Sequence, residues 1–384
     1  MEQNQARSKG KKEKGEETPP FQLFKITITP LSPFGIYPRG DLIFGHFLYY
    51  YFLLEESLLG KVKKEENSLS PFENYTSPGF TPPVIFSDWF PKGCFPFPSL
   101  PLSVMGVDEN EKKEIRKINF LPRDNFPILT LPPKKGSRCR EGNTLLEEEN
   151  WCKYDNIHPM ELKRKEPSPI CCWELRVRNS LNRLTSTTGE GFSPFPIGLY
   201  TFYTQLEGYI LVDSGKISHE KIKEILEIIG ESGFGRRSSI GFGRFKIERI
   251  EEINLSDWQR GVKEEEGKLY YLALSPSIFT PEDGIDWENS FYTLRPKLGK
   301  FHLSSTPFKL PVLMADTGAV YSFEGEKAPL FLGVGAQNSP SYRARLRGES
   351  GNPEELQSLS SLVQGYTLLY PFRLNKSKES QNGK

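Results

Sequence analysis

The chain has 384 residues, of which 36% are hydrophobic and 26% charged. That globular balance excludes a collagen, a disordered tail protein and a membrane bundle. Fifty Lys and Arg oppose 49 Asp and Glu, leaving +1, so no global field draws the chain to nucleic acid or membrane and any polyanion site must be local. The length predicts two domains or three. The 27 Phe and 31 Pro point to Pro-punctuated strands and ordered loops rather than a helical bundle. Met1 to Pro20 mixes Lys, Glu, Gln and Gly with no apolar secretory core, and is expected to be a disordered tail, as is 375–384.

Order is expected from Phe21. Phe24, Ile26 and Ile28 share one face at period two, the mark of a half-buried strand. A Pro/Gly loop follows from Thr29 to Gly40, and Asp41 stands where a helix N-cap belongs. Ile43, Phe47, Tyr50, Tyr51, Leu54 and Leu58 recur at helical spacing and Gly60 ends the run; Leu42, His46, Tyr49 and Leu53 make the other face nearly as apolar. Such a helix has to be covered on both sides, by the chain's own second domain or by a partner. The apolar run Leu42 to Leu54 is shorter than the ~20 residues that cross a bilayer. A cytoplasmic chain without a membrane span is expected.

Residues 61–170 read as a large Pro-rich insertion, with short strands such as Val84 to Phe86 and a charged helix near Glu109 to Ile118. Trp173 to Arg178 alternates like a strand, and Leu199 to Asp213 reads as one long strand or a hairpin. Ser218 caps a helix with Ile222, Ile225, Leu226 and Ile229 in one stripe and Gly230 as its stop; Phe245 and Ile247 resume period two. Strand, helix, loop and strand make half of a ferredoxin-like unit. The N-terminal strand, loop and helix look like the opening of another. The last third, from Leu269 to Leu374, reads as strands with Gly/Pro turns that return to these sheets. The expected fold class is therefore α+β: two ferredoxin-like (RRM-like) domains, at 21–170 with the insertion and at 171–374.

Five cysteines are too few for a disulfide scaffold, and the adjacent pair Cys171 and Cys172 cannot easily bridge. Cys139, Cys152, His158 and Cys171 match no common zinc spacing. No metal or cofactor is expected. The sequence holds no serine-hydrolase elbow, no H-E-x-x-H and no paired-carboxylate motif, so a non-enzymatic chain is expected.

The densest chemical signal runs from Ser232 to Phe245. Gly233, Gly235, Gly241 and Gly243 are interleaved with Arg236, Arg237, Ser238, Ser239 and Arg244. Glycines let backbone N–H groups approach an anion, arginines fork onto phosphate oxygens, and serine hydroxyls add bonds. A P-loop or dinucleotide site needs the loop before a helix, whereas this one follows a helix and precedes a strand. The competing reading is a glycine loop packed on its own sheet with solvated arginines; the density of Arg and Ser favours RNA. A second segment, Arg176 to Gly189, interleaves Arg178, Asn179, Asn182 and Arg183 with hydroxyls and no acid. It suits a nucleic-acid backbone or a solvated loop equally. Arg39 in the first loop is a third candidate, and N-capping accounts for Asp41. His46, alone on an apolar helix, reads as a satisfied core residue. Tyr342 to Arg347, basic with one aromatic, could bind RNA but reads rather as a mobile surface loop.

The Gly233–Phe245 loop after an amphipathic helix resembles the signature loop of the RAMP superfamily of CRISPR proteins. Thr29 to Gly35, Arg39 to Gly45, and Arg178 to Arg183 followed by Leu199 and Tyr200 resemble the Cas-five-like fourth subunits of type III-A Csm effector complexes, with the type III-D subunits close behind. The resemblance spans residues 21–374 except the Pro-rich insertion. It implies two ferredoxin-like domains in a non-catalytic subunit of antiviral defence. Such a subunit holds the 5′ repeat-derived tag of crRNA, and docks a large polymerase/cyclase-like subunit and the first backbone subunit. On it, Gly233, Gly235, Gly241 and Gly243 let the backbone approach the tag, Arg236, Arg237 and Arg244 contact phosphates, and Arg178, Asn179 and Arg183 hold flanking nucleotides. The alternative is a RAMP endoribonuclease that processes precursor crRNA, with His46 and Arg39, Tyr37 or a lysine as its only plausible acid–base set.

Overall fold

The computed structural model describes residues 21–59, 71–105, 118–126, 128–131, 140–141, 144–145, 171–188, 194–263, 267–299, 308–324, 329–338 and 362–376. The fold is mixed α/β with more strand than helix. The expected helix near Glu109 lies almost wholly outside the described residues, as do Gly60, Cys139, Cys152, His158 and the Tyr342–Arg347 loop.

At the centre of the first sheet is β1 (Phe21–Pro30). It is followed by α1 (Gly40–Leu59), then β2 (Val84–Phe86). Further along come the ribbon strands β3 (Cys171–Arg178) and β4 (Phe195–Phe202), then β5 (Leu206–Asp213), α2 (His219–Ser232) and β6 (Phe245–Ile253). β5 and β6 both pair antiparallel with β1, on opposite sides, and β2 pairs with the far edge of β5. The spatial order is β6-β1-β5-β2. β5 and β6 are therefore parallel to each other, split by β1, with α2 as the crossover; with α1 this is the β-α-β-β-α-β order of a ferredoxin-like unit. The two stretches expected to open separate units are thus the two halves of one. β1 pairs from Phe21 opposite Asp213 to Ile28 opposite Leu206, so the first sheet draws on residues from both sides of position 170.

The residues expected to form one strand or a hairpin from Leu199 to Asp213 form two strands in different sheets. β4 pairs with β3, from Phe195 opposite Arg178 to Phe202 opposite Cys171, while β5 joins β1. Phe34 and Tyr200 exchange both backbone N–H···O bonds, each 2.8 Å, and so tie this ribbon to the loop after β1.

α2 forms where the apolar stripe predicts it. Ile222, Ile225, Leu226 and Ile229 are buried, and the Ser218 hydroxyl accepts the Lys221 N–H at 3.3 Å. Gly230 does not end the helix. It lies within it, at a place where only glycine fits, since a Cβ there would stand 2.5 Å from the Phe245 carbonyl oxygen. The stop is Gly233, at φ 92°, whose N–H donates to the Ile229 carbonyl.

α1 starts two residues earlier than expected, at Gly40 rather than after an Asp41 cap. The Arg39 carbonyl accepts the N–H groups of Leu42 and Ile43. Asp41 lies in the first turn, where its carboxylate pairs with Lys297 at 2.6 Å. The capping acceptor comes from elsewhere: Gly40 N–H donates to Asp88 Oδ1 at 2.8 Å. A Cβ on Gly40 would sit 2.2 Å from the Phe86 carbonyl oxygen, so only glycine lets this helix end reach the sheet. The chain itself covers α1: Phe44 stacks on Tyr75 with centroids 5.2 Å apart and Phe47 meets Phe86 at 5.2 Å. Between Gly40 and Glu55 only Leu53 is exposed.

The last third builds a second sheet rather than returning to the first. β7 (Lys268–Ala273) lies between β10 (Val320–Tyr321) and β12 (Tyr366–Lys376), and β11 (Phe331–Gly333) pairs with β12. A separate ribbon, β8 (Leu294–Lys297) with β9 (Val312–Ala315), stands beside them. Strand Ile128–Leu131 of the insertion pairs in parallel with β12, so the insertion contributes to this sheet. Among the described residues the helices near it are the one-turn Leu255–Trp258 and Arg260–Lys263, and the ferredoxin-like order is seen in the first sheet only. The two sheets share a core. Trp258 touches Tyr209 and Tyr370 at 4.9 and 5.0 Å and donates its indole N–H to the Leu369 carbonyl. Buried Gln364 pairs its amide with both backbone groups of Phe86, satisfying β2 in place of a further strand. No described helix is long and apolar enough to cross a membrane.

Candidate nucleic-acid interface

The loop between α2 and β6 is folded by its glycines. Gly233, Gly235, Gly241 and Gly243 all have φ between 74° and 92°, the left-handed region that favours glycine. Three of them also make way for the protein's own atoms. A Cβ would fall 2.5 Å from the Phe242 carbonyl oxygen at Gly233, 2.5 Å from Ile36 Cγ2 at Gly235, and 2.0 Å from the Phe234 carbonyl oxygen at Gly243. Gly241 alone of the four faces open space. The loop is also sewn to the segment after β1. Gly243 N–H donates to the Pro33 carbonyl, the Arg244 carbonyl accepts from Leu31, and Arg244 N–H donates to the Ser32 hydroxyl. Gly35, opposite, has its missing Cβ 1.9 Å from the Arg236 carbonyl oxygen. Phe234 is the buried anchor beneath, between Phe34, His46 and Trp89.

This packing turns the polar side chains outward. Arg236, Arg244 and Ser239 are exposed, Arg237 and Ser238 half-exposed. Arg237 is itself left-handed, at φ 70° and ψ 17°, a conformation that costs a residue with a Cβ about 1 kcal/mol. Its guanidinium lies over the Phe195 ring at 5.6 Å, while Arg178, directly opposite Phe195 in the ribbon, lies over the Phe242 ring at 5.3 Å. Two reciprocal cation–π contacts thus join the two basic segments that the sequence singled out separately. Phe242 packs with Ile197 and Leu199 beneath them. None of Arg178, Arg183, Arg236, Arg237 and Arg244 makes an ion pair with a described carboxylate. Arg176 differs: it pairs with buried Glu174. Asn179 and Arg183 are exposed at the ribbon tip, beside Leu181 and the almost fully exposed Leu184. Gly189 lies outside the described residues.

Arg39 sits in a different electrostatic setting. It pairs with Asp316, and Asp316 also accepts the Thr317 N–H. Burial alone would lower the pKa of Arg39; Asp88, Asp316 and Asp41 around it more than offset that and raise it. Asp88 is fully buried, accepts from Gly40 N–H and, at 2.7 Å, from the Thr317 hydroxyl. Burial pushes its pKa up to about 7 against the pull of Arg39, Thr317 and Gly40. His46 is half-buried on α1; its Nε2 accepts the Gly235 N–H at 3.1 Å and its ring lies 5.0 Å from Phe234. Among the described residues no cluster of three or more His, Cys, Asp or Glu could hold a metal.

The sequence reading missed the aromatic partners. Phe242 is visible only as the residue between Gly241 and Gly243. Phe195 carries no signal until the β3–β4 register places it opposite Arg178.

No family model matches the chain, and no curated protein matches it. Its fold is similar to solved type III CRISPR effector components. A chain of a Csm1-Csm4 cassette in complex with cA4 aligns at TM-score 0.45 and 13% identity, over 93% of this chain and 100% of that one. A chain of a Csm3-Csm4 subcomplex of the type III-A interference complex aligns at TM-score 0.45 and 16% identity, over 92% and 99%. A chain of a type III-B Cmr-beta complex bound to cognate target RNA aligns at TM-score 0.36 and 12% identity, over 78% and 85%.

Proposed function

We propose that this chain is a non-catalytic RNA-binding subunit of a type III CRISPR effector complex, one that holds the 5′ repeat-derived tag of crRNA. The observation that carries this reading is the convergence of Arg178 with Arg237. Two segments far apart in sequence place their arginines on each other's aromatic rings, Arg178 exposed and Arg237 half-exposed, with no described carboxylate to neutralise them. Rings under the guanidinium planes fix their orientation, which lowers the entropy lost when they fork onto phosphate oxygens. Three of the four glycines build this platform rather than touching the ligand; Gly241 is open to it. Apolar Leu181, Leu184 and Ile240 are exposed among the cations, and bases splayed from a single strand would cover them. The docking partners in this reading are a large polymerase/cyclase-like subunit and the first backbone subunit.

The test is binding of 5′-labelled repeat–spacer RNA in EDTA, read on native and denaturing gels and by anisotropy across salt. Arg236→Ala with Arg237→Ala is expected to weaken binding at least tenfold. It should lower the salt slope by about 1.4, from ~0.7 per phosphate contact on a single strand. Unchanged affinity and slope would remove the phosphate reading. Cleavage at one repeat position would instead make the chain a processing nuclease.

A further inference from the structure

The hydrogen bond from Gly235 to His46 is the one side-chain bond by which α1 reaches the backbone of the arginine loop among the described contacts. It joins residues 189 positions apart. Gly235 immediately precedes Arg236 and Arg237, and its left-handed φ of 75° aims the chain into that pair. Ile36 fills the space on the other side of Gly235, at the distance where a Cβ would collide, and Phe234 lies against the imidazole. The amide at the start of the basic turn is therefore held by one imidazole nitrogen acting as an acceptor, within a wall of apolar groups. An amide N–H in that position needs an acceptor, and nothing apolar can replace it.

We propose that His46 is a positioning residue for RNA binding: its unprotonated Nε2 fixes the Gly235 amide and through it the direction in which Arg236 and Arg237 leave the loop. This rests on the RNA-binding reading above. It assigns His46 no contact with RNA and no proton transfer, in contrast to a nuclease in which the same side chain would be the base. The required property is an acceptor four bonds from Cα. Gln supplies one at Oε1, whereas Ala and Phe supply none.

The experiment uses the full chain and two readouts. Hydrogen exchange followed by mass spectrometry reports on the 233–243 loop without RNA. It is expected to show added exchange at Gly235 in His46→Ala and His46→Phe, and near wild-type protection in His46→Gln. Anisotropy with the same repeat–spacer RNA is expected to show about tenfold weaker binding in His46→Ala, equivalent to about 1.4 kcal/mol, and recovery in His46→Gln. His46→Phe keeps the ring against Phe234, so its loss of affinity separates the acceptor from packing. Exchange at Gly235 unchanged in all three variants would overturn the proposal, as would equal affinity of the Ala, Phe and Gln variants. Arg236→Ala with Arg237→Ala, run alongside, tells the two failures apart. If the arginine variant loses affinity and His46→Ala does not, the positioning role falls and the RNA reading stands. If the arginine variant binds like wild type, the RNA reading falls, and with it a positioning role in RNA binding.

Discussion

Asp88 makes the sharpest prediction about the fold. It is 2% exposed and joins the start of α1 to the turn between β9 and β10, through Gly40 N–H and the Thr317 hydroxyl. Burial raises its pKa from 3.8 to about 7. At 1.36 kcal/mol per unit, a rise of about three units makes the ionised form about 4 kcal/mol less favourable in the fold than in the unfolded chain. The group is fully buried, so solvent screening does not discount this figure. A raised carboxylate pKa means that the folded state binds the proton more tightly. The stabilisation is complete below pH 4, declines as pH rises through about 7, and is gone above it. Asp88→Asn keeps an acceptor for Gly40 and gives Thr317 a donor, with no charge to bury. The difference in unfolding free energy between Asp88→Asn and wild type, from urea titrations of the full chain, should grow in favour of Asn between pH 5 and pH 8. The part of the penalty that falls between pH 5 and the pKa of about 7 bounds this growth at about 3 kcal/mol. A variant less stable than wild type at pH 8, by an amount unchanged since pH 5, would refute the reasoning. It would mean that Arg39 fully compensates the buried carboxylate.

The local elements were legible where one face of one element decides the outcome. The period-two face of Phe24, Ile26 and Ile28 and the stripe Ile222, Ile225, Leu226 and Ile229 specify their strand and helix directly, because burial of that face dominates. What the sequence could not supply is which strand neighbours which. β1 pairs with β5 and β6, about 180 and 220 residues away, and no local pattern encodes a partner at that distance. The two half-units therefore read locally as two sheets, although they close into one. The same limit explains the caps. Asp41 has the chemistry of an N-cap, but Asp88 reaches Gly40 from the residues after β2, and Asp41 is left to Lys297. At the candidate site the chemistry was legible as arginine and glycine density. The division of labour was not. Whether a glycine faces a ligand or a neighbouring carbonyl depends on what packs against it, and Gly243 faces Phe234 while Gly241 faces solvent.

That division yields two further tests. Arg237→Gly removes a left-handed residue with a Cβ and should stabilise the fold by up to about 1 kcal/mol, yet weaken RNA binding severalfold because the contact with Phe195 goes with it; loss of stability together with affinity would show that the stacking, not the strain, dominates. Gly241→Ala and Gly243→Ala separate conformation from contact. Both positions have positive φ, so each substitution carries a backbone cost of about 1 kcal/mol. Only at Gly243 would the new methyl also meet a carbonyl oxygen at 2.0 Å and a backbone nitrogen at 2.7 Å, both of Phe234. Neither is the movable end of a side chain, so β6 or the Phe234 anchor must shift. Unfolding midpoints should place Gly243→Ala well below Gly241→Ala, by several kcal/mol, on the scale of severe backbone clashes. Equal midpoints would mean that the loop yields as a unit, which a loop tied to Pro33, Ser32 and His46 by hydrogen bonds should not do.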